Sequence, residues 1–338
     1  MIKEKAAEAA PNSTANILNI SDIDKEIQQF LAAAEDEEKV GMFVVKSANQ
    51  TIREAAQRPN PKPLWLELWY EGEVSCLFAD SNAGKSLYAV QIGVEVAKSE
   101  KVLYFDFELS DKQFQLRYTA NDGTLFSFPP LFYRVEVSRE GIEDNFAEAA
   151  IKGIEETALR TGAKVLIVDN ITWICSETEK GGDAANLMKK LLAMKFRYGW
   201  SLLVIAHTPK RNMSNPITQN DLAGSKKLFN FFDSVFSIGK SAKDEALRYV
   251  KQIKCRYGSF SYDSSNVIVY TIEQENAFTH FVAQGYAEER EHLKEPTEKQ
   301  KADMIASVKK MVAEGKSYRQ VAKELGISLN KVQRYLKM

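Results

Sequence analysis

Cysteine is scarce in this sequence, and its scarcity excludes several kinds of site. The 338 residues contain three cysteines, Cys76, Cys175 and Cys255, which lie far apart along the chain. They supply neither the C-x-x-C spacing of thiol metal sites nor the even number of a disulfide framework. We therefore predict reduced thiols in or near the core.

Long hydrophobic runs are missing as well. No stretch of about 18 apolar residues, the length that suits a membrane-spanning helix, occurs in the sequence. The first ten residues, M-I-K-E-K-A-A-E-A-A, lack the apolar core that a secretory signal peptide needs. We expect a cytoplasmic protein with no membrane contact.

Neither sign of charge is in excess. Lys and Arg together number 45, Asp and Glu 46, and the formal net charge is -1. A protein that attracts nucleic acid with its whole surface carries a clear positive excess. Any binding of nucleic acid must therefore come from local patches. The hydrophobic content of 44% is that of an ordinary soluble globular protein.

What the sequence does contain is an alternation of apolar strands and amphipathic helices. This pattern predicts the α/β class, with a mainly parallel sheet, right-handed crossovers and helices on both faces. Three later runs, F-D-S-V-F-S-I, A-L-R-Y-V-K-Q-I-K and N-V-I-V-Y-T-I, predict antiparallel or mixed additions to the sheet. The apolar runs that predict the parallel strands are V-S-C-L-F-A, K-V-L-Y-F-D-F, K-V-L-I-V-D and S-L-L-V-I-A-H, at residues 74–79, 101–107, 164–169 and 201–207.

Prolines and charge runs mark the predicted boundaries. Residues 1–60 form an N-terminal helical segment, with one helix starting near Ser21 and a short one after Ser47. The three prolines of R-P-N-P-K-P end this segment. The main domain then covers 61–284, a charged linker 285–298, and a small helical domain 299–338.

The stretch F-A-D-S-N-A-G-K-S ends like a phosphate-binding loop. A G-K-S triplet alone is a weak signal, because it also occurs by chance on surface turns. Here it lies between an apolar run and an amphipathic helix, where backbone N–H groups and a helix N-terminus face a phosphate. Lys85 would reach the β and γ oxygens of ATP, and the Ser86 hydroxyl would bind Mg²⁺. The residues predicted to contact the nucleotide are Ala79, Asp80, Ser81, Asn82, Ala83, Gly84, Lys85, Ser86 and Leu87.

The loop departs from the pattern G-x-x-x-x-G-K-[ST] at its first position. Ala79 stands where the pattern has glycine, and glycine reaches positive φ at little cost. Ala79 is small enough to keep the loop compact, and Asp80, Ser81 and Asn82 tolerate turn conformations. We expect Ala79 to alter the loop geometry locally and to weaken nucleotide affinity.

Acidic residues and a histidine end the predicted strands. Asp169 ends V-L-I-V-D, where a carboxylate would bind the water shell of Mg²⁺ opposite Ser86. Glu108 is predicted to orient or deprotonate the attacking water. Asp106 competes for that role, although burial in its strand favours Glu108. His207 is predicted to sense the γ-phosphate, against the alternative of a structural histidine.

These motifs, in this order, resemble those of the RecA-like P-loop ATPases, in particular the RepA, DnaB and KaiC type, over residues 64–275. The resemblance implies that Glu108 is the catalytic glutamate, Asp169 the Walker B aspartate and His207 the sensor. It also implies that Arg117 lies near the phosphates.

The same resemblance implies a ring. The stretch D-L-A-G-S-K-K-L-F-N-F-F-D-S-V-F at 221–236 is similar to the Gly-Ser element, helix and D-x-V strand of that family. Q-I-K-C-R-Y-G then supplies Lys254 and Arg256, a K-x-R pair that such ATPases present to the γ-phosphate of the next subunit. Contacts of this head-to-tail kind close into rings, here a hexamer. Read alone, the stretch R-Y-V-K-Q-I-K-C-R, with its alternating lysines, is also typical of an exposed edge strand.

Two regions are candidates for DNA contact. The polar loop at 208–220 carries Lys210 and Arg211, which in a RecA-like ring would face single-stranded DNA in the central channel. A plain flexible loop is the alternative.

The C-terminal stretch S-Y-R-Q-V-A-K-E-L-G-I-S-L-N-K-V-Q-R-Y-L resembles the helix-turn-helix of resolvases. Its second helix would offer Asn330, Lys331 and Arg334 to the major groove of duplex DNA. Helix-turn-helix domains also mediate protein contacts, and that alternative is kept open.

Together these features predict an Mg²⁺-dependent ATPase that assembles as a ring and works on DNA, most concretely a RepA-like replicative or mobile-element helicase. One alternative is a DNA-bound regulator in which ATP switches assembly. Another is a KaiC-like phosphotransferase that labels its own Ser or Thr.

Overall fold

The computed structural model describes residues 38–138, 146–174, 183–209, 211–222, 226–295 and 298–338. The chain divides into two compact units, Met1–Asn60 and Pro61–Met338. The helix predicted near Ser21 lies outside the described residues, as do Cys175 and Lys210.

The first unit contains a small hairpin and a helix. Strand β1 (Glu38–Val40) pairs antiparallel with β2 (Phe43–Val45), and α1 (Ala48–Ala56) follows. The Ser47 side chain accepts a hydrogen bond from the Gln50 backbone N–H. This bond satisfies one of the free donors in the first helical turn, which explains why the helix begins there.

The second unit is built on a nine-stranded sheet, ordered β13-β12-β11-β10-β5-β9-β8-β6-β7. The six strands from β10 to β7 in this order run parallel, and β11, β12 and β13 add antiparallel strands at one side. The predicted α/β class with a mainly parallel sheet is therefore confirmed. The nine strands are β5 (Val74–Ala79), β6 (Val102–Asp106), β7 (Phe132–Glu136), β8 (Val165–Asp169), β9 (Ser201–His207), β10 (Ser234–Lys240), β11 (Leu247–Lys254), β12 (Val267–Glu275) and β13 (Phe278–Ala287). A short hairpin, β3 (Pro63–Trp65) and β4 (Trp69–Tyr70), precedes them.

Helices cover both faces of this sheet. Alternate residues of β5 point to opposite faces, with Cys76 and Phe78 in one apolar cluster and Leu77 and Ala79 in the other. Between Pro61 and Glu295, the helices among the described residues are α2 (Lys85–Val96), α3 (Asp111–Arg117), α4 (Phe146–Thr161), α5 (Ile171–Ile174), α6 (Asp183–Tyr198) and α7 (Lys226–Phe231), with 3₁₀ turns at Gln219–Asp221 and Glu289–His292. In this part of the chain, no helix combines the length and the hydropathy that crossing a membrane requires.

The predicted linker at 285–298 is wrong in its first part. Strand β13 continues to Ala287, and Glu289 and His292 beyond it are 1% and 3% exposed. Lys251 donates to the Glu289 carboxylate at 2.6 Å, which makes burial of this acidic residue possible. The charged residues of this stretch predicted an exposed linker, because Lys251, the partner of Glu289, lies 38 residues earlier in the sequence.

Three helices form the C-terminal module, α8 (Glu298–Ala313), α9 (Tyr318–Leu325) and α10 (Leu329–Leu336). Their shared core contains Val308, Val321, Val332 and Tyr335. Gly326 closes α9 in the left-handed conformation at φ 63°, which glycine adopts at little cost. The Ser328 side chain then caps α10 by accepting from the Lys331 N–H.

Candidate active site

A cavity of about 410 Å³ lies at the carboxyl ends of the parallel strands. This is the edge at which open α/β sheets bind their ligands. The loop that follows β5 forms one wall, the ends of β6 and β9 form another, and the β12–β13 hairpin forms a third. The lining residues are Ser81, Asn82, Gly84, Lys85, Ser86, Leu87, Glu108, Arg117, His207, Ile272 and Thr279.

Lys85 is 7% exposed and opens α2 at the base of this cavity. Its Nζ donates to the carbonyls of Ala79 at 2.9 Å and Asp80 at 3.1 Å. Burial lowers the pKa of Lys85, and the carboxylates of Asp169 and Glu108 oppose that effect. A buried ammonium held only by carbonyls at a helix N-terminus is well placed to bind phosphate oxygens.

Ala79 is the last residue of β5, aligned with His207 of β9 and Ile238 of β10. The left-handed conformation falls instead on Asn82, at φ 59°, and on Gly84, at φ 97°. The expectation that Ala79 distorts the loop is therefore wrong, because an extended residue in a strand does not need glycine.

Asp169 is 2% exposed and lies beside Ser86. Burial raises its pKa from 3.8 to about 6, while hydrogen bonds from Ser86 and from Tyr104, at 2.5 Å, oppose the rise. A hydroxyl next to a carboxylate is a hard oxygen donor pair of the kind that Mg²⁺ prefers. The described residues contain no cluster of three His, Cys, Asp or Glu that could hold a metal.

Glu108 lies at the cavity wall, just beyond β6. Its Oε1 accepts a hydrogen bond from Asn170 Nδ2 and lies 3.4 Å from His207 Nε2. The imidazole of His207, the amide of Asn170 and the ammonium of Lys85 lower the pKa of Glu108, and burial opposes them. The carboxylate is therefore ionised at neutral pH and able to accept a hydrogen bond from water.

Asp106 has a structural role instead. It is 3% exposed and its Oδ2 accepts from Arg134 Nε at 2.9 Å. Its Oδ1 accepts from the backbone N–H groups of Glu108 and Leu109 at 3.1 and 2.9 Å. Asp106 therefore shapes the turn that carries Glu108 to the cavity and is not among the residues that line it.

The β12–β13 hairpin forms a wall that the sequence did not predict. A Cβ on Gly84 would lie 2.8 Å from the Phe281 ring and 3.2 Å from Ile272, so only glycine fits beneath the hairpin. Thr279 Oγ1 donates to the Arg117 carbonyl at 3.1 Å, which joins the hairpin to the end of α3. Arg117 lines the cavity and makes no ion pair with any described residue.

Residues 43–213 match the profile of a protein family described as AAA domain, which is half of the chain. The chain belongs to this AAA domain family. A solved structure of a KaiC-like protein from the hyperthermophilic archaeon Pyrococcus horikoshii OT3 is similar to 63% of this chain and 91% of its own, at 16% identity and a TM-score of 0.47. No curated protein sequence matches significantly.

Lys254 and Arg256 lie at the opposite edge of the sheet from the cavity of this AAA domain protein, where β11 ends beside the start of β10. Lys254 Nζ donates to the carbonyls of Phe229 and Phe232 at 3.2 and 2.6 Å. Arg256 Nη1 donates to Asp233 at 3.1 Å, although its side chain is 56% exposed. Neither residue reaches the cavity of its own chain.

The candidate DNA contacts differ in accessibility. Arg211 is 6% exposed, with Nε 3.3 Å from Asp80 Oδ2 and Nη1 donating to the Asn215 carbonyl at 2.9 Å. This placement does not support DNA contact by Arg211, because its guanidinium is turned toward the phosphate loop. Asn330 and Arg334 are exposed on α10, and Lys331 is half-buried.

Proposed function

We propose that this AAA domain protein is an Mg²⁺-dependent ATPase that assembles as a ring and couples ATP hydrolysis to work on DNA. The observation that carries the proposal is the joint placement of Lys85 and Glu108 in one cavity, with His207 beside the glutamate. Each of the three follows a different strand of the sheet, so the fold itself brings them together.

Lys85 and the N–H groups of the loop would bind the phosphates of ATP. Ser86 and Asp169 would hold Mg²⁺, which when bound neutralises charge on the phosphate oxygens. Glu108 accepts a proton from water as the water oxygen bonds to the γ-phosphorus. The bond to the β–γ bridging oxygen breaks, leaving ADP and phosphate.

Ring formation is supported by the distance of the K-x-R pair from its own cavity. A cation that cannot reach its own nucleotide serves hydrolysis only in the site of a neighbouring copy. Arg256 is the better candidate of the two, because more than half of its side chain is exposed. Lys254 would first have to leave two main-chain carbonyls.

DNA as the partner is supported by the exposed polar and basic residues of α10, Asn330 and Arg334. They lie on a helix that follows a short turn in a three-helix module, an arrangement that suits the major groove. The regulator in which ATP only switches assembly would use the same helix, so the DNA dependence of hydrolysis separates the two functions.

The test measures ATP hydrolysis with and without single-stranded DNA, together with mass by light scattering with and without ATP. Replacement of Lys85 by Ala should lower kcat by at least about a hundredfold, since it removes a buried cation from the phosphates. Lys98→Ala is the matched control, because this lysine is 62% exposed beyond the end of α2.

A translocating ring should show a mass of several subunits and strong stimulation by single-stranded DNA. Equal rates with and without DNA would favour the regulator. Normal turnover by the Lys85→Ala variant would exclude this cavity as the hydrolytic site.

A further inference from the structure

Asn170, which directly follows the Walker B position Asp169, lies between the two groups expected to handle the attacking water. Its Nδ2 donates to Glu108 Oε1 and lies 3.0 Å from His207 Nε2. The side chain is 1% exposed, so solvent does not compete for these contacts. Asn170 belongs neither to the phosphate loop nor to the groups expected to hold Mg²⁺.

The chemistry of Glu108 and Asn170 fixes the direction of the hydrogen bond between them. An ionised carboxylate only accepts, so the atom of Asn170 that faces Glu108 must be the nitrogen. The same nitrogen lies 3.0 Å from His207 Nε2. The direct contact of Glu108 with His207, at 3.4 Å, is longer than a strong hydrogen bond. Asn170 is therefore the closer partner of the Glu108 carboxylate.

Both neighbours approach the same carboxylate oxygen. Asn170 Nδ2 and His207 Nε2 lie near Glu108 Oε1, which leaves Oε2 to accept from water. The two strand ends that carry these residues are joined as well, because the Phe107 N–H donates to the Asp169 carbonyl at 2.8 Å. The orientation of the Glu108 carboxylate is thus set by a buried amide on a fixed backbone.

We propose that Asn170 is a positioning residue for ATP hydrolysis, which orients the Glu108 carboxylate so that one of its oxygens faces the attacking water. This inference rests on the proposed ATPase function. Asn170 touches neither the phosphates nor the water in this scheme and acts on hydrolysis through Glu108. Its loss therefore affects the hydrolytic step and leaves ATP binding intact.

The test compares kcat and KM for Asn170→Ala and Asn170→Asp with those of the wild type. Aspartate has the shape of asparagine but cannot donate to Glu108, so it separates positioning from packing. We expect both variants to lower kcat about 10- to 100-fold with KM for ATP changed less than about threefold. Asn266→Ala is the matched control, since that amide donates only to an exposed turn carbonyl.

A double-mutant cycle with Glu108→Ala gives the sharper readout. In the Glu108→Ala background Asn170 has nothing to orient, so Asn170→Ala should lower single-turnover hydrolysis less than about threefold further. The same loss in both backgrounds, or an effect on KM alone, would overturn the proposal. An inactive wild type would instead contradict the ATPase function, and the two failures are thereby distinguished.

Discussion

The two ends of the central sheet use their charged side chains differently. At the amino end of β5, Asp233 accepts from the Val74 N–H at 2.9 Å and from Lys195 at 2.7 Å. Arg256 completes the cluster through the other carboxylate oxygen. Both oxygens of Asp233 accept hydrogen bonds, and the cluster joins four segments of the chain.

At the carboxyl end of the same strands, the charges face an open cavity. Lys85 is held by carbonyls alone, and Arg117 has no ionic partner among the described residues. Burial raises the free energy of the Lys85 ammonium by more than the nearby carboxylates of Asp169 and Glu108 offset, and an anionic ligand would lower it. The charges at the amino ends of the strands thus stabilise the fold, whereas those at the carboxyl ends are placed to meet a charged ligand.

The strongest test of this difference exchanges a carboxylate for an amide at each end. Glu108→Gln should lower kcat by about a hundred- to a thousandfold, because the water loses its anionic acceptor. Its melting temperature should stay near that of the wild type. Asp233→Asn should instead destabilise the fold by about 3 kcal/mol, since it leaves Lys195 without its counter-ion.

The measurements are steady-state hydrolysis and urea unfolding of both variants. The control is an exposed ion pair. Lys190 lies on the same helix as Lys195, but it pairs with Glu148 at the protein surface. Glu148→Gln should change stability by less than about 1 kcal/mol. A large loss of stability in Glu108→Gln, or none in Asp233→Asn, would show that the two ends do not divide in this way.

A second prediction concerns pH. Burial raises the pKa of Asp169 from 3.8 to about 6, so the folded chain binds this proton more tightly than the unfolded chain. The contribution of this group to stability is therefore greatest below pH 4 and is lost as pH rises through 6. Asp169→Asn removes the effect.

In metal-free buffer, the Asn variant should become more stable than the wild type as pH rises from 4 to 7, by up to about 3 kcal/mol. Thermal melts over that range measure the difference. A difference in stability between the two proteins that stays constant with pH would mean that Asp169 does not titrate between pH 4 and 7.

The smallest expected effect belongs to Ala79→Gly. Ala79 is 1% exposed and extended, so glycine removes a buried methyl and adds backbone freedom. We expect a loss of about 1 kcal/mol in stability and no tightening of ATP binding. Nucleotide titration of both proteins measures the affinity, and a clear gain by the variant would restore the idea that the loop is distorted.

The parallel part of the sheet could be predicted from the sequence because its strands are buried on both faces. Such strands consist of unbroken apolar runs, as in β5 and β8, and their carboxyl ends meet at one edge. Glu108, Asp169 and His207 were predicted in this way. Strand β13 was missed because F-T-H-F-V-A-Q-G-Y-A mixes polar and apolar residues without a clear period.

The rest of the site depends on contacts between distant segments. Nothing near Asn170 in the sequence indicates that its amide meets Glu108, 62 residues earlier. Ile272 and Thr279 reach the cavity only because the β12–β13 hairpin packs on α2. Lys251 and Glu289 likewise show their pairing only after the strands have assembled.

The β12–β13 hairpin limits where the chain can be cut into working fragments. The family match ends at residue 213, yet Ile272 and Thr279 line the cavity and Phe281 covers Gly84. A fragment cut where the match ends would keep the phosphate loop and lose the strands beyond it, exposing the α2 surface on which Phe281 packs. The smallest piece expected to be soluble and to bind nucleotide therefore runs from Pro61 through His292.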